Sequence, residues 1–532
     1  MVIRFVGACA ISLTLAAPVL AQAPAGGEFR INTYTTSDQA VARPAMEPDG
    51  DFVVAWQSLT QDGSNLGAFG QRFAASGAPR GDEFRVNTFT TGPQYRSAVA
   101  VGSRGDFVVA WTSEQDGSVY SIQGRRYDAA GNAIGAEFLV NTSTTGYQYR
   151  AQVGRALDGR FVVSWVSQNG DGSSYGIAAR RFDASGNPLG NDFVVNTFTT
   201  GLQIFGSLAV EANGNFVVVW EDYAGNRDGS MSAIFGQRHD AAGNRLGSEF
   251  QANTYTTGRQ AIPSVSVSPA GGFVVAWTSQ GDGTGYGMFA RRFDASGNPV
   301  GNEFAVNTYT TGDQYAIGGQ VAHDARGNFV VTWMGPGDGS AYASFAQRFN
   351  AAGARRGGEF LVNTYTTSDQ RLPSVSSDSV GNFVVAWQSA GQDGSGIGVF
   401  AQRFGGLGPA ALDVNSTGNQ VLEPGETVDV RPTWRNFSGV ARSFGGALSN
   451  INGPAGAIYT INDGAGDYGS VANNAAAPCT DCYTITVSNP SSRPAVHWDA
   501  SAVESIVPDV LGQQKQWLLH VGGSFTDVPT SS

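Results

Sequence analysis

Apolar and polar positions fall into short runs, four to a unit, and the unit returns seven times along the chain. In the second unit the runs are SAVAV (97–101), DFVVAWTS (106–113), SIQGRRYD (121–128) and AEFLVNT (136–142), with Gly, Asn, Asp and Ser between them. Runs of this length, rich in β-branched and aromatic residues and separated by turn formers, predict β-strands. The second run is apolar on both alternating faces: Phe107, Val109 and Trp111 on one, Val108 and Ala110 on the other. Such a strand belongs inside stacked layers. The first run is made of small residues, which suits a crowded position beside an axis.

The landmarks of the unit keep their spacing. Trp56, Trp111, Trp165, Trp220, Trp277, Trp333 and Trp387 follow one another at intervals of 54 to 57 residues. An Arg precedes an aromatic or His residue at Arg72, Arg126, Arg181, Arg238, Arg292, Arg348 and Arg403. An Asn-Thr pair recurs at Asn32, Asn87, Asn141, Asn196, Asn253, Asn307 and Asn363. An Asp-Gly pair opens at Asp62, Asp116, Asp171, Asp228, Asp282, Asp338 and Asp393. Four-stranded units in tandem predict the blades of a β-propeller.

The register of the ends separates this fold from an open solenoid. The repeats start with GEFRINT (27–33), a fourth-type strand without its first three, and the seventh unit stops at FAQRFGGLGP (400–409) without a fourth. The N-terminal strand therefore completes the last blade and leaves no open edge, whereas a solenoid needs a cap at each end. The predicted fold is all-β: a closed seven-bladed β-propeller of four-stranded blades over 28–405, a linker over 406–412, and a C-terminal Ig-like β-sandwich over 413–523. In the last part TVDVRPTW (427–434), CYTITVS (482–488) and KQWLLHVG (515–522) read as strands.

The first residues change the picture of where the chain works. Arg4, an apolar stretch from Phe5 to Leu20 and small residues after it make 1–21 a secretory signal peptide, cleaved after Ala21. The expected location is secreted, cell-surface or periplasmic, and no later segment is long and apolar enough to span a bilayer. A net charge of −12 with no basic run argues against nucleic acid and anionic membranes as partners. Cys479 and Cys482, in PCTDC, have the spacing of a redox pair or half a zinc site. With no second such pair, and with His239, His323, His497 and His520 scattered singly, an exported chain favours a small disulfide.

Candidate chemistry starts with the Asp-Gly loop, which varies in length and is longest in the fourth unit, EDYAGNRDGSMSAIFGQ (221–237). Propeller connectivity puts it on the same rim as the NTYTTGDQ-type loops (307–314), so the seven Asp carboxylates would make that rim acidic. Hard cations take clustered carboxylate and carbonyl oxygens, which makes calcium the functional reading of Asp62, Asp116, Asp171, Asp228, Asp282, Asp338 and Asp393. Turn geometry is the plainer reading. The repeated Arg reads as a partner for an anion or as a brace bonded to carbonyls or to a Glu such as Glu83, and the Trp residues read as wedges between blades.

Catalysis needs a departure confined to one repeat. His239 and His323 are such departures, but neither has a partner identifiable in the sequence, and the S-x-D-x-G-x-x-W spacing of sialidase turns is absent. The favoured reading is an exported, monomeric, non-catalytic binding or adhesion protein whose acidic rim contacts a surface glycan, a protein or calcium. The alternatives are a propeller polysaccharide hydrolase or lyase, and a structural spacer.

Three stretches resemble known families. The repeats, as in NFVVTWMGPGDGSAYASFAQRFNAAGARRGGEFLVNTYTTSDQ (328–370), resemble a family of bacterial exported propeller repeats found beside calcium-binding or adhesive modules. That resemblance implies a propeller and secretion or surface display, and no reaction. GNQVLEPGETVDV (418–430), followed by Trp434 and Asn436, resembles the opening of Ig-like accessory modules of bacterial surface proteins. FTDVP (525–529) resembles the opening of a surface-layer homology module, which implies that 524–532 begins an anchoring region.

Overall fold

The computed structural model describes residues 24–117, 119–224, 227–281, 283, 285–316, 319–340, 342–414, 425–436, 441–453, 456–472, 475–488, 498–507 and 514–521. The expected signal peptide, Asp282, His497 and the tail 524–532 lie outside them. The described residues form strands and turns with no helix, in a β-propeller-like all-β arrangement of mostly four-stranded sheets.

Each repeat gives one antiparallel set of strands, and those of the third and fourth repeats are joined into one sheet by a parallel pair, Tyr175–Leu202. In the first, Gln39–Met46, Phe52–Leu59, Leu66–Phe73 and Phe84–Arg85 pair in chain order. In the second, the order is Gln94–Val101, Phe107–Ser113, Ser121–Tyr127 and Ala133–Leu139. The first strand therefore starts three residues before the small-residue run, because the buried Gln94 continues it, and the fourth is shifted toward its turn. The second strand is buried on both faces, and the seven Trp are at most 2% exposed. Phe107 stacks on Tyr127 of the third strand at 4.6 Å, a pairing repeated by Phe52 with Phe73 and by Phe161 with Phe182.

The last sheet takes a strand from the other end of the chain. Phe29–Arg30 pairs with Ile397–Phe404 through Phe29–Ala401 and Arg30–Phe400, beside Phe383–Ala390 and Gln370–Ser377. The first strands of successive sheets pack on one another, and that of the seventh packs on that of the first.

Two bonds recur between neighbouring sheets. The Thr after each repeated Asn donates its N–H to an acidic residue of the next repeat: Thr33 to Glu83, Thr88 to Glu137, Thr142 to Asp192, Thr197 to Glu249, Thr254 to Glu303 and Thr308 to Glu359. Thr364 makes the same bond to Glu28, at 2.6 Å. The repeated Arg donates to a turn carbonyl of the next sheet, as Arg72 to Ala130, Arg181 to Ala241 and Arg292 to Ala351 do, and Arg403 reaches Ala75 of the first. Glu83 thus holds Thr33 rather than an arginine.

The stretch 406–412, expected as a linker, is strand. Leu407–Val414 pairs with Thr427–Asn436, because its apolar residues face a core that begins at Leu407. Two sheets share that core, one supplying Val430, Trp434 and Ile485 and the other Phe444, Ala502 and Leu519. Val380, from a turn of the seventh repeat, packs on it as well. The fully buried Glu504 sits inside, accepting from Trp434 Nε1 (2.8 Å), Trp517 Nε1 (2.7 Å), Tyr468 OH (2.5 Å) and Tyr483 OH (2.6 Å). Cys479 and Cys482 are joined as a disulfide.

Candidate functional site

In six of the seven repeats the first strand carries the same irregularity two residues after the repeated Gln. Val41, Arg96, Arg150, Phe205, Ile262 and Leu372 have φ between 52° and 61°, and the pairing with the second strand shifts register there. A left-handed backbone is costly for bulky or β-branched residues and persists only where the surroundings over-determine it. Here the freed N–H is caught by the previous sheet: Val41 donates to Gln388 Oε1, Arg96 to Gln57 Oε1, Arg150 to Thr112 Oγ1 and Ile262 to Glu221 Oε2. The bulge belongs to the architecture. Its occupant changes from sheet to sheet, and so gives one end of the axis its individual chemistry.

That chemistry is cationic. A small cavity of about 30 Å³ where the first strands meet is lined by Arg43, Arg96, Arg150, Phe205, Gln152 and Ile262 among others. Arg150 lies over the Phe205 ring, 3.9 Å from its centre. Burial, and then the Arg96 charge, push Arg150 down to about 9 and Arg43 to about 10; burial lowers Arg96 too. All three still carry their charge at neutral pH. Among the described residues no acceptor or carboxylate bonds the guanidinium of Arg96 or Arg150. Tyrosines stand beside them: Tyr95 meets Tyr120 edge-on at 5.5 Å, Tyr120 meets Tyr147, and Tyr149 meets Tyr175. A second arc, Tyr286–Tyr315–Tyr342, belongs to the fifth and sixth repeats.

The Asp-Gly carboxylates are engaged within their own loops. Asp62 accepts Ser64 N on one oxygen and Asn87 Nδ2 on the other, at 3.1 and 3.0 Å. Asp171, Asp228, Asp338 and Asp393 repeat this with Asn196, Asn253, Asn363 and Asn32. The same Asn side chains accept a third-strand N–H, as Asn196 does from Ile177 at 2.8 Å. Asp116 occupies the same loop of the second repeat. Among the described residues no group of three His, Cys, Asp or Glu side chains is placed to hold a metal ion.

The fourth repeat departs from the others beside the axis. Glu221 and Asp222 follow its Trp, where the first, second and seventh repeats carry Gln57-Ser58, Thr112-Ser113 and Gln388-Ser389. Glu221 is fully buried, bonds Arg259 Nε at 3.0 Å and has its pKa raised by burial. Asp222 is pushed up to about 6 by burial and pairs at 3.4 Å with Arg227, which also meets Glu249 at 2.7 Å. His239, in the same repeat, stacks on Phe216 at 4.8 Å as the Phe and Tyr of other repeats do, and burial pushes it down to about 4.

A larger cleft of about 320 Å³ opens between the fifth and sixth repeats, lined by Gly272, Phe273, Phe293, Val300, His323 and Phe329 among others. Gly272 explains it. The equivalent Asp51, Asn215 and Asn328 carry a side chain that accepts an N–H from the turn after the third strand, and Gly272 has none. His323 is bound there through Nδ1 to Ser266 Oγ at 2.9 Å and is pushed down to about 3 by burial. Arg292 and Arg326 at this cleft are committed to Ala351 O and Ser505 Oγ.

Sequence reasoning missed the arginine group. Its signal was the residue two places after each repeated Gln, which reads Val, Arg, Arg, Phe, Ile, Ala and Leu where most of the unit is uniform.

No protein-family model matches the chain, and no curated protein does. Solved structures do resemble it. A Dyadobacter fermentans protein of unknown function aligns over 73% of this chain and 99% of its own, at 11% identity and a TM-score of 0.41. An α-L-arabinofuranosidase of Fusarium graminearum bound to an iminosugar inhibitor aligns over 58% and 92%, at 13% identity and a TM-score of 0.38. An α-L-arabinanase of Penicillium chrysogenum bound to arabinobiose aligns over 58% and 92%, at 16% identity and a TM-score of 0.39.

Proposed function

We propose that this chain is an exported, non-catalytic glycan-binding protein: a closed seven-bladed β-propeller that takes its ligand at one end of the axis, followed by an Ig-like β-sandwich. Closure is supported by the Phe29–Arg30 pairing and by the Thr364–Glu28 and Arg403–Ala75 bonds, which continue the repeated brackets from the last sheet to the first. The leader 1–21 supports export, and the disulfide suits an oxidising compartment. The observation that carries the binding reading is the arc Tyr95, Tyr120, Tyr147, Tyr149 and Tyr175, all partly exposed, beside an axial position whose occupants vary. Amphipathic rings with one apolar face and one polar edge suit sugars, and pockets of this kind combine such walls with a few polar groups.

Electrophoresis of the mature chain through gels containing plant and bacterial polysaccharides tests this. Retardation by at least one polysaccharide, lost in Tyr149→Ala, is expected; free migration in all of them would contradict it. The second reading, a glycoside hydrolase, is favoured by the adjacent carboxylates Glu221 and Asp222 of the fourth repeat. Both are held by arginines and Glu221 is fully buried, so on the first reading no reducing sugar is released from the retained polysaccharide or from arabinan.

A further inference from the structure

The cleft between the fifth and sixth repeats is a departure that the glycan reading does not use. At the same place between the second and third repeats, Asp106, just before a second strand, and Arg155, at the end of the next first strand, form an ion pair across the gap. In the first repeat Asp51 pairs with Arg80, from the turn after the third strand. At the cleft these three positions hold Gly272, His323 and Val300. The turn that carries Gly272 reads Ser-Pro-Ala-Gly-Gly (268–272), whereas the other six turns each carry a charged residue. Ion-pairing side chains are thus replaced by small, apolar or neutral ones from both repeats at once, and about 320 Å³ stands open.

The wall is largely apolar, with Pro269, Phe273, Phe293, Phe329 and an exposed Val300. Arg292 and Arg326 stand in it, bonded to Ala351 O and Ser505 Oγ. His323 brings a polar atom of its own. Its Nδ1 meets Ser266 Oγ at 2.9 Å, and its Nε2 has no hydrogen-bond partner among the described residues. Burial keeps the ring neutral at working pH, so one nitrogen donates and the other accepts. Ser266 does not line the cleft, so it orients the imidazole. Nε2 then offers a single hydrogen bond, as donor or acceptor according to the tautomer, and a hydroxyl answers either. Benzene fits a dry cavity of about 150 Å³, so this cleft takes one substituted ring. A sugar would press most of its hydroxyls against apolar wall, at a cost for each one left unbonded.

We propose that the cleft between the fifth and sixth repeats binds a neutral phenolic compound, its ring against Phe293, Phe329 and Val300 and its hydroxyl bonded to His323 Nε2. The site shares no residue with the glycan-binding end of the axis and is independent of that reading.

The test is a ligand-observed NMR titration of the mature chain with 4-methylphenol, toluene and methyl glucoside. Saturable binding of 4-methylphenol is expected, about fivefold tighter than that of toluene, the worth of one neutral hydrogen bond, and methyl glucoside should not displace it. Gly272→Asn, which restores the residue of the fourth and sixth repeats, should weaken both aromatic ligands roughly tenfold or more, because its side chain takes the place of the ring. His323→Val, which restores the residue found at Val101 and Val210, should abolish the preference for 4-methylphenol while toluene still binds, a pattern that loss of folding does not produce. Absence of saturable 4-methylphenol binding, equal affinity of the wild-type chain for the two aromatics, or displacement by methyl glucoside overturns the inference. So does unchanged binding in Gly272→Asn, or a preference for 4-methylphenol that survives in His323→Val.

Discussion

Glu504 and Arg150 are both charged side chains inside β-structure, and their surroundings treat them oppositely. Glu504 accepts from two indoles and two phenols, so its charge is solvated by protein. Hydrogen bonds to charged groups are worth about 1.5–3 kcal/mol each, and an indole N–H cannot reverse its role. Glu504→Gln is therefore expected to destabilise the C-terminal sheets by about 3 kcal/mol in urea unfolding; a change within about 0.5 kcal/mol would show that the four donors contribute little. Arg150 has a ring beneath it and, among the described residues, no hydrogen-bond acceptor for its guanidinium. At this scale the sequence was legible wherever a residue repeats. The repeated Asn and Asp announce loop brackets by their sevenfold spacing, while Arg96 and Arg150 stand where the repeat varies and were passed over within a strand read as small.

Strands and bulges carry the next level. The alternation in DFVVAWTS and the turn formers around it suffice to place the second and third strands within a residue or two. The bulge is not written in composition. Val41, Ile262 and Leu372 are poor candidates for a left-handed backbone, and only the side chains of neighbouring sheets, such as Gln388 and Glu221, hold them there. The 406–412 stretch misled for a related reason: Gly and Pro suggest a connection, yet its pairing partner at 427–436 decides its state. The N-terminal strand gives a prediction here. Removing residues 24–33 leaves the outer edge of Ile397–Phe404 without its partner at Phe400 and Ala401 and deletes the Glu28 and Asn32 bonds. An exposed edge of this kind invites self-association. The truncated chain is expected to aggregate or to lose a single cooperative melting transition, and adding the 24–33 peptide in trans should restore soluble material. A truncated chain that melts as the intact one does would mean that the strand is dispensable.

For the molecule as a whole, burial decides how stability follows pH. Burial pushes Asp378 and Glu47 up to about 7, so above their unfolded values the folded chain keeps protons that the unfolded chain has released. Their contribution to stability is complete at low pH and is lost as pH rises through about 7. His239 and His323, pushed down to about 4 and 3, act in the opposite sense and only below about pH 6.5. The urea midpoint of the mature chain is expected to fall between pH 6.5 and 8, less steeply in Asp378→Asn; a flat or rising profile would contradict the burial of these carboxylates. The repeats and their sheets were readable from seven spacings and two displaced ends. The chemistry of their axis was not, because it arises from side chains about 55 residues apart in sequence that meet only when the sheets are arranged around one line.

Difference density from crystals soaked with an oligosaccharide of the polysaccharide that retards the chain tests the central claim most directly. The sugar rings should run past Tyr95 and Tyr149 beside the cavity lined by Arg96 and Arg150. Density on the Asp-Gly loops or in the cleft beside Gly272 and His323, with the axis empty, would contradict it.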